Sequence, residues 1–144
     1  MWCESDDDDD IDYAKHKVKD LYEEKYASNP VNKHDEKKPH QWWKNTRGYI
    51  IGRNPVMSIL LKWVEKQEDR SISKKELGGL REKLGLMCDL EPQVASEQLW
   101  SYLNLNTVGT TLRESFENVQ QLNGCEAWRK VTQPIIKNTV AKRI

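Results

Sequence analysis

Val56, Ile59, Leu60, Trp63 and Val64 recur at i, i+3, i+4, i+7 and i+8, the spacing of one face of an α-helix. Met57 and Leu61 widen the stripe, so this helix is expected to be the most buried of the chain. Asn54-Pro55 reads as its start, Asn as the cap and Pro at the first helical position. Upstream, HQWWKNTRGYII places Trp43, Arg47 and Ile50 on one side of a second helix, His40 to Ile51, with Gly52 as its stop. Two helices joined by about three residues form a helical hairpin.

The rest of the chain repeats this period. Ser73-x-x-Glu76 is a capping box that opens a helix with Leu77, Leu80 and Leu84. Gly78-Gly79 weakens its middle, by about 1 kcal/mol each relative to Ala, and Gly85 stops it. Pro92 starts a helix carrying Val94, Leu99, Trp100 and Leu103. Val108, Leu112, Phe116 and Val119 predict another from about Thr107 to Gln121. Asn123-Gly124 turns the chain into a last stripe of Ala127, Trp128, Val131 and Ile135, which Pro134 is expected to kink or end. No segment alternates as a strand does. The expected fold is all-α: a small helical bundle of about five to six helices, preceded by an acidic disordered tip and a loosely attached N-terminal helix.

Charge sets off the front of the chain. Net charge is zero, yet Glu4, Asp6 to Asp10 and Asp12 leave the first twelve residues without a single cation. The remainder holds 23 basic residues against 16 acidic ones. The aspartate run repels itself and packs no core. Behind it, Ile11, Ala14, Val18, Leu21 and Tyr22 predict a helix from about Asp10 to Tyr26. The polar stretch NPVNKHDEKKP reads as a linker. The expected organisation is an acidic tip, N-terminal helix and linker over 1–39, a helical domain over 40–137, and a truncated basic tail over 138–144.

Catalytic and metal chemistry find little footing. His16, His34 and His40 share no helix-face spacing with one another. His34-Asp35-Glu36 is a local cluster in a polar stretch. Cys3, Cys88 and Cys125 make no CxxC pair, and neither Cys88 nor Cys125 has a nearby His. No Gly-x-Ser-x-Gly elbow or phosphate loop is present. The expectation is no enzyme, no metal, no cofactor and no small-molecule substrate. The acidic start is unlike a signal peptide, and the longest apolar run, Ile59-Leu60-Leu61, is far below the ~20 residues of a membrane span. A cytoplasmic, non-secreted protein without a membrane contact is expected.

Six tryptophans remain. Most fit as core fillers, since one aromatic buries roughly 150–250 Å2. Neighbours on a helix differ by about 100°, so one of Trp42 and Trp43 is expected at the surface. Trp42, Trp43, Trp63 and Trp100 are the candidates for an oligomer or partner interface. Arg129, Lys130, Lys137, Lys142 and Arg143 are the candidates for nucleic-acid contact, against the alternative of an ordinary solvated face.

Leu99-Trp100, Asn123-Gly124 and Ala127-Trp128-Arg129 form a pattern within QLWSYLNLNTVGTTLRESFENVQQLNGCEAWRKVTQP. Together with WWKNTRGYIIGRNP…LLKW upstream, it resembles the capsid region of Gag polyproteins of copia-type LTR retroelements and their relatives, over about residues 40–135. The resemblance implies a retrotransposon-derived helical bundle that self-associates around the element's RNA and carries no catalytic residues. This chain has no CCHC zinc knuckle and no protease Asp-Ser/Thr-Gly. The alternative is a nucleic-acid-binding or protein-interaction helical module.

Overall fold

The structure is a computed structural model that describes residues 21–86 and 90–143. It is all-helical, with seven α-helices among the described residues: α1 (Glu24–Ser28), α2 (Pro39–Arg53), α3 (Met57–Glu65), α4 (Leu80–Leu84), α5 (Pro92–Asn106), α6 (Arg113–Glu117) and α7 (Gly124–Arg143). The aspartate run and most of the Asp10–Tyr26 helix expected from the sequence lie outside the described residues.

Helix α7 is the spine. It packs along α5 and α3, with α2 and α6 also against it. The core between them holds Trp42, Ile50, Met57, Leu60, Leu61, Val64, Leu99, Tyr102, Leu103, Trp128 and Val131, all buried. Leu60, Leu61 and Val64 have no exposed surface, as the dense stripe in α3 predicts. The turn into α7 is built closely. Asn123 caps it, accepting the Glu126 main-chain N–H at 3.4 Å. Gly124 sits where a Cβ would collide with the Ser96 carbonyl oxygen and the Trp100 main-chain nitrogen. Only a residue without a side chain lets α7 approach α5 so closely.

Local chemistry sets the helix ends. The capping box forms in both directions: Glu76 N–H donates to Ser73 Oγ at 3.3 Å, and Ser73 N–H donates to Glu76 Oε1 at 3.0 Å. The chain bends at the glycine pair, a 3-10 turn over Lys75–Gly79 handing on to α4. Gly85 closes α4 with φ +65°, a left-handed conformation that glycine adopts without penalty.

Four boundaries differ from the sequence expectation. Helix α2 runs through Gly52, and Asn54 ends it by donating its main-chain N–H to Ile50. Asn54 is therefore not the cap of α3, which begins at Met57 after a tight turn. The expected Thr107–Gln121 helix shrinks to Arg113–Glu117. There Gly109 takes φ +75°, and the Thr107 and Thr110 hydroxyls bond nearby carbonyls, offering the backbone an alternative to helix. Val108 is half exposed as a result. Finally, Pro134 does not end α7, which continues to Arg143. Both Pro134 and Lys130 face solvent, so the Lys130 carbonyl that proline leaves without its helical partner lies on the solvent side of the helix.

The 21–39 stretch, expected as an arm and linker, is tied to the bundle. Ala27 is fully buried. Asn106 donates from its side-chain amide to the Ala27 carbonyl at 3.0 Å and the Asn32 carbonyl at 3.2 Å. Lys33 Nζ reaches the Val108 carbonyl at 3.1 Å. Tyr26 stacks on Tyr49 with ring centroids 3.6 Å apart.

Candidate functional site

The α2–α3 hairpin presents an open groove of about 840 Å3 on its outer face, lined by His40, Trp43, Lys44, Arg47, Gly48, Ser58, Ile59, Lys62 and Glu65. Helical spacing explains the lining. Positions 40, 43, 44, 47 and 48 repeat every three or four residues along α2, and 58, 59, 62 and 65 do so along α3. Ile59 is 42% exposed, an apolar side chain left without cover beside the half-buried Trp43.

One carboxylate organises the groove floor. Glu65 Oε2 accepts the indole N–H of Trp43 at 3.2 Å and that of Trp128 at 3.0 Å. Arg47 Nε lies 3.1 Å from Oε1 and 3.0 Å from Oε2. The Glu65 main-chain carbonyl accepts from the Gln133 side chain at 2.8 Å. Glu65 therefore joins α2, α3 and α7 through a charge-assisted network, stronger than one of neutral bonds. Its negative charge is engaged by these partners. Lys44 and Lys62 stand exposed on the groove rim.

The four tryptophans picked out in the sequence divide. Trp42 is 4% exposed, its ring near Trp128 and its N–H on Asn106, so it is core and not available to a partner. Trp43 is the member of the pair that reaches the groove. Trp63 lies half-buried on α3 beneath Arg70 and Lys83, whose charges stand 5.9 and 6.0 Å from its ring centroid. Trp100 packs half-buried on Phe116.

The basic tail is less free than its composition suggests. Arg129 makes two 2.7 Å bonds to the Glu126 carboxylate and a third to the Glu68 carbonyl. Burial works against the Glu126 charge, but Arg129 and the Ile72 main-chain N–H outweigh it and hold this carboxyl below its ordinary range. Arg129 is thus a buried structural cation, unavailable to a phosphate. Lys137 pairs with Asp69 at 2.6 Å, while Lys130 is exposed. The side chains of Lys142 and Arg143 lie outside the described residues.

Sequence reasoning missed Glu65, Lys44, Lys62 and the exposure of Ile59. The acid at 65 ends an apolar stripe and looks like an ordinary surface residue. Its partners come from 18, 22 and 63 positions away, which no local spacing reveals. Among the described residues, no three His, Cys, Asp or Glu side chains come together to hold a metal ion. No described helix is long and apolar enough to cross a membrane. No protein-family model, curated protein or solved structure matches the chain.

Proposed function

We propose that this chain is a structural, non-catalytic module of the retroelement Gag capsid type, acting in the cytoplasm through contacts between copies of itself. The observation that carries the reading is the α2–α3 groove, where exposed Ile59 and half-buried Trp43 form an uncovered apolar strip between cations. Aromatic and apolar anchors of this kind supply most of the energy of protein contacts. The sequence pattern supports it too. Its Asn-Gly turn lies where α7 meets α5, and its Trp128 and Arg129 reach Glu65, Trp42 and the Glu68 carbonyl, so the pattern falls on positions that hold the bundle together.

Light scattering across a concentration series tests the reading. A mass that rises with concentration, and that Ile59→Glu returns to the monomer, is expected. A strict monomer at every concentration, with no particles from a longer chain, overturns it. A second reading, single-stranded RNA on the same groove, draws on Lys44, Arg47 and Lys62 around the Trp43 ring. It requires binding that weakens steeply with salt.

A further inference from the structure

We propose that the acidic head of this chain, Asp6–Asp10 with the following Ile11, docks in the α2–α3 groove of the same molecule. The groove gathers Lys44, Arg47 and Lys62 around a single carboxylate, Glu65, and that carboxylate already receives Arg47 and two indoles. Arg47 is paired with Glu65, but among the described residues no ion pair engages Lys44 or Lys62; exposed lysines such as Lys66 and Lys130 share that state, and what sets this pair apart is the apolar wall of Trp43 and Ile59 beside it. The head is the complementary object: five consecutive aspartates with no cation among the first twelve residues. Ile11 supplies an apolar group next to that run, as Ile59 and Trp43 supply an apolar wall next to the lysines.

The segment that follows the head packs mainly on α5, and its side-chain contacts also tie it to α2, the helix that carries half the groove. Glu23 donates its main-chain N–H to Tyr49 Oη at 2.8 Å, its carboxylate meets Arg53 at 3.5 Å, and Tyr26 stacks on Tyr49. Tyr49 stands five residues beyond Lys44, about 7.5 Å along the helix axis. The thirteen steps from Glu23 back to Asp10 span about 20 Å as a helix and about 43 Å when extended. Either length exceeds that axial offset. Tethering makes the contact intramolecular, at an effective concentration on the order of millimolar, which lets a modest electrostatic attraction fill the groove.

The docked head gives the proposed contact between copies a competitor, but the assignment stands or falls separately from that reading. The test uses the full chain, dilute enough to scatter as a monomer. Zero-length carbodiimide coupling joins a carboxylate directly to an amine in contact with it. The expected products link the Asp6–Asp10 peptide to Lys44 or Lys62 within one chain. Their yield is expected to drop several-fold from 0.1 M to 1 M salt, where the screening length shrinks from about 10 Å to about 3 Å. Changing Asp6–Asp10 to asparagine is expected to shift the amide resonances of Gly48, Ser58 and Ile59 while leaving those of Ser96 and Cys125 in place. Links spread evenly over Lys74, Lys75 and Lys130, links found only between two chains, or unshifted groove resonances would each overturn the proposal. A chain that is monomeric at every concentration yet gives the Lys44 and Lys62 links retains the docked head and loses the capsid reading.

Discussion

Trp42 and Asn106, 64 positions apart in the chain, meet inside the bundle, where the indole N–H donates to the Asn106 side-chain oxygen at 2.9 Å. The amide of the same asparagine holds the carbonyls of Ala27 and Asn32. One buried side chain thus fastens α2 to α5 and the 21–39 segment to both. Asn106→Ala leaves a buried indole N–H and two carbonyls without this partner, each worth about 1–3 kcal/mol if left unsatisfied. We expect a loss of about 3 kcal/mol in urea unfolding, with faster amide exchange at Ala27 than in the wild type. A loss below 1 kcal/mol would show that the 21–39 segment is not held through Asn106.

The glycines separate by what surrounds them. Gly124→Ala drives a methyl into the Ser96 carbonyl and the Trp100 backbone, and backbone cannot rotate away as a side chain can. Overpacking of this kind costs about 1–3 kcal/mol or more, so a fall in Tm of well over 5 °C is expected. Gly52→Ala meets nothing within 4 Å inside α2, where alanine is preferred by up to about 1 kcal/mol. It is expected to raise Tm. Thermal unfolding followed by circular dichroism reads both.

Acid acts on the fold in two windows. Burial lowers the pKa of His34, with Asp35 and Glu36 opposing more weakly. The unfolded chain therefore binds a proton first, and stability falls as pH drops below about 6.5, the usual histidine value. Glu126 also has a depressed pKa, its burial outweighed by Arg129 and the Ile72 N–H. Its contribution is present above the usual glutamate value of about 4.3 and is lost as pH falls through the lower folded value. Urea titrations at stepped pH should show both declines. His34→Gln should remove the upper one alone, and Glu126→Gln should flatten the lower.

Cys125 is fully buried, and burial pushes its thiol up to about 12 despite a bond with Ser96. The thiolate is the reactive form, so Cys125 should resist iodoacetamide at pH 8 in the native protein and react once urea opens the bundle. Peptide mass spectrometry reads this directly. Rapid native labelling would place the α5–α7 contact outside the stable core.

The helices were legible where a stripe and a cap coincided. Ser73 and Glu76 announce their own bonds, Pro92 starts α5, and the Leu60–Val64 face is buried as its spacing requires. The reading failed where spacing and local hydrogen bonding disagree. Val108 to Val119 keeps helical spacing, but Gly109 and two threonine hydroxyls redirect the backbone. The site was only half legible. That one of Trp42 and Trp43 reaches the surface follows from a 100° step, but which one depends on Asn106 and Glu65, both distant in sequence. Arg129 looks like a surface cation until Glu126, three residues earlier, folds beside it.

The main-chain contact at Gly124 has a mechanical consequence. Side-chain packing can yield by changing rotamers, but two backbones in contact have none to change, so the crossing of α5 and α7 is a stiff pivot. Helix α7 runs from that pivot for 20 residues, about 30 Å, and stays packed as far as the buried Ile135. Pivot and packing together fix its direction, so the angle between α5 and α7 is expected to be the same in every copy of the chain.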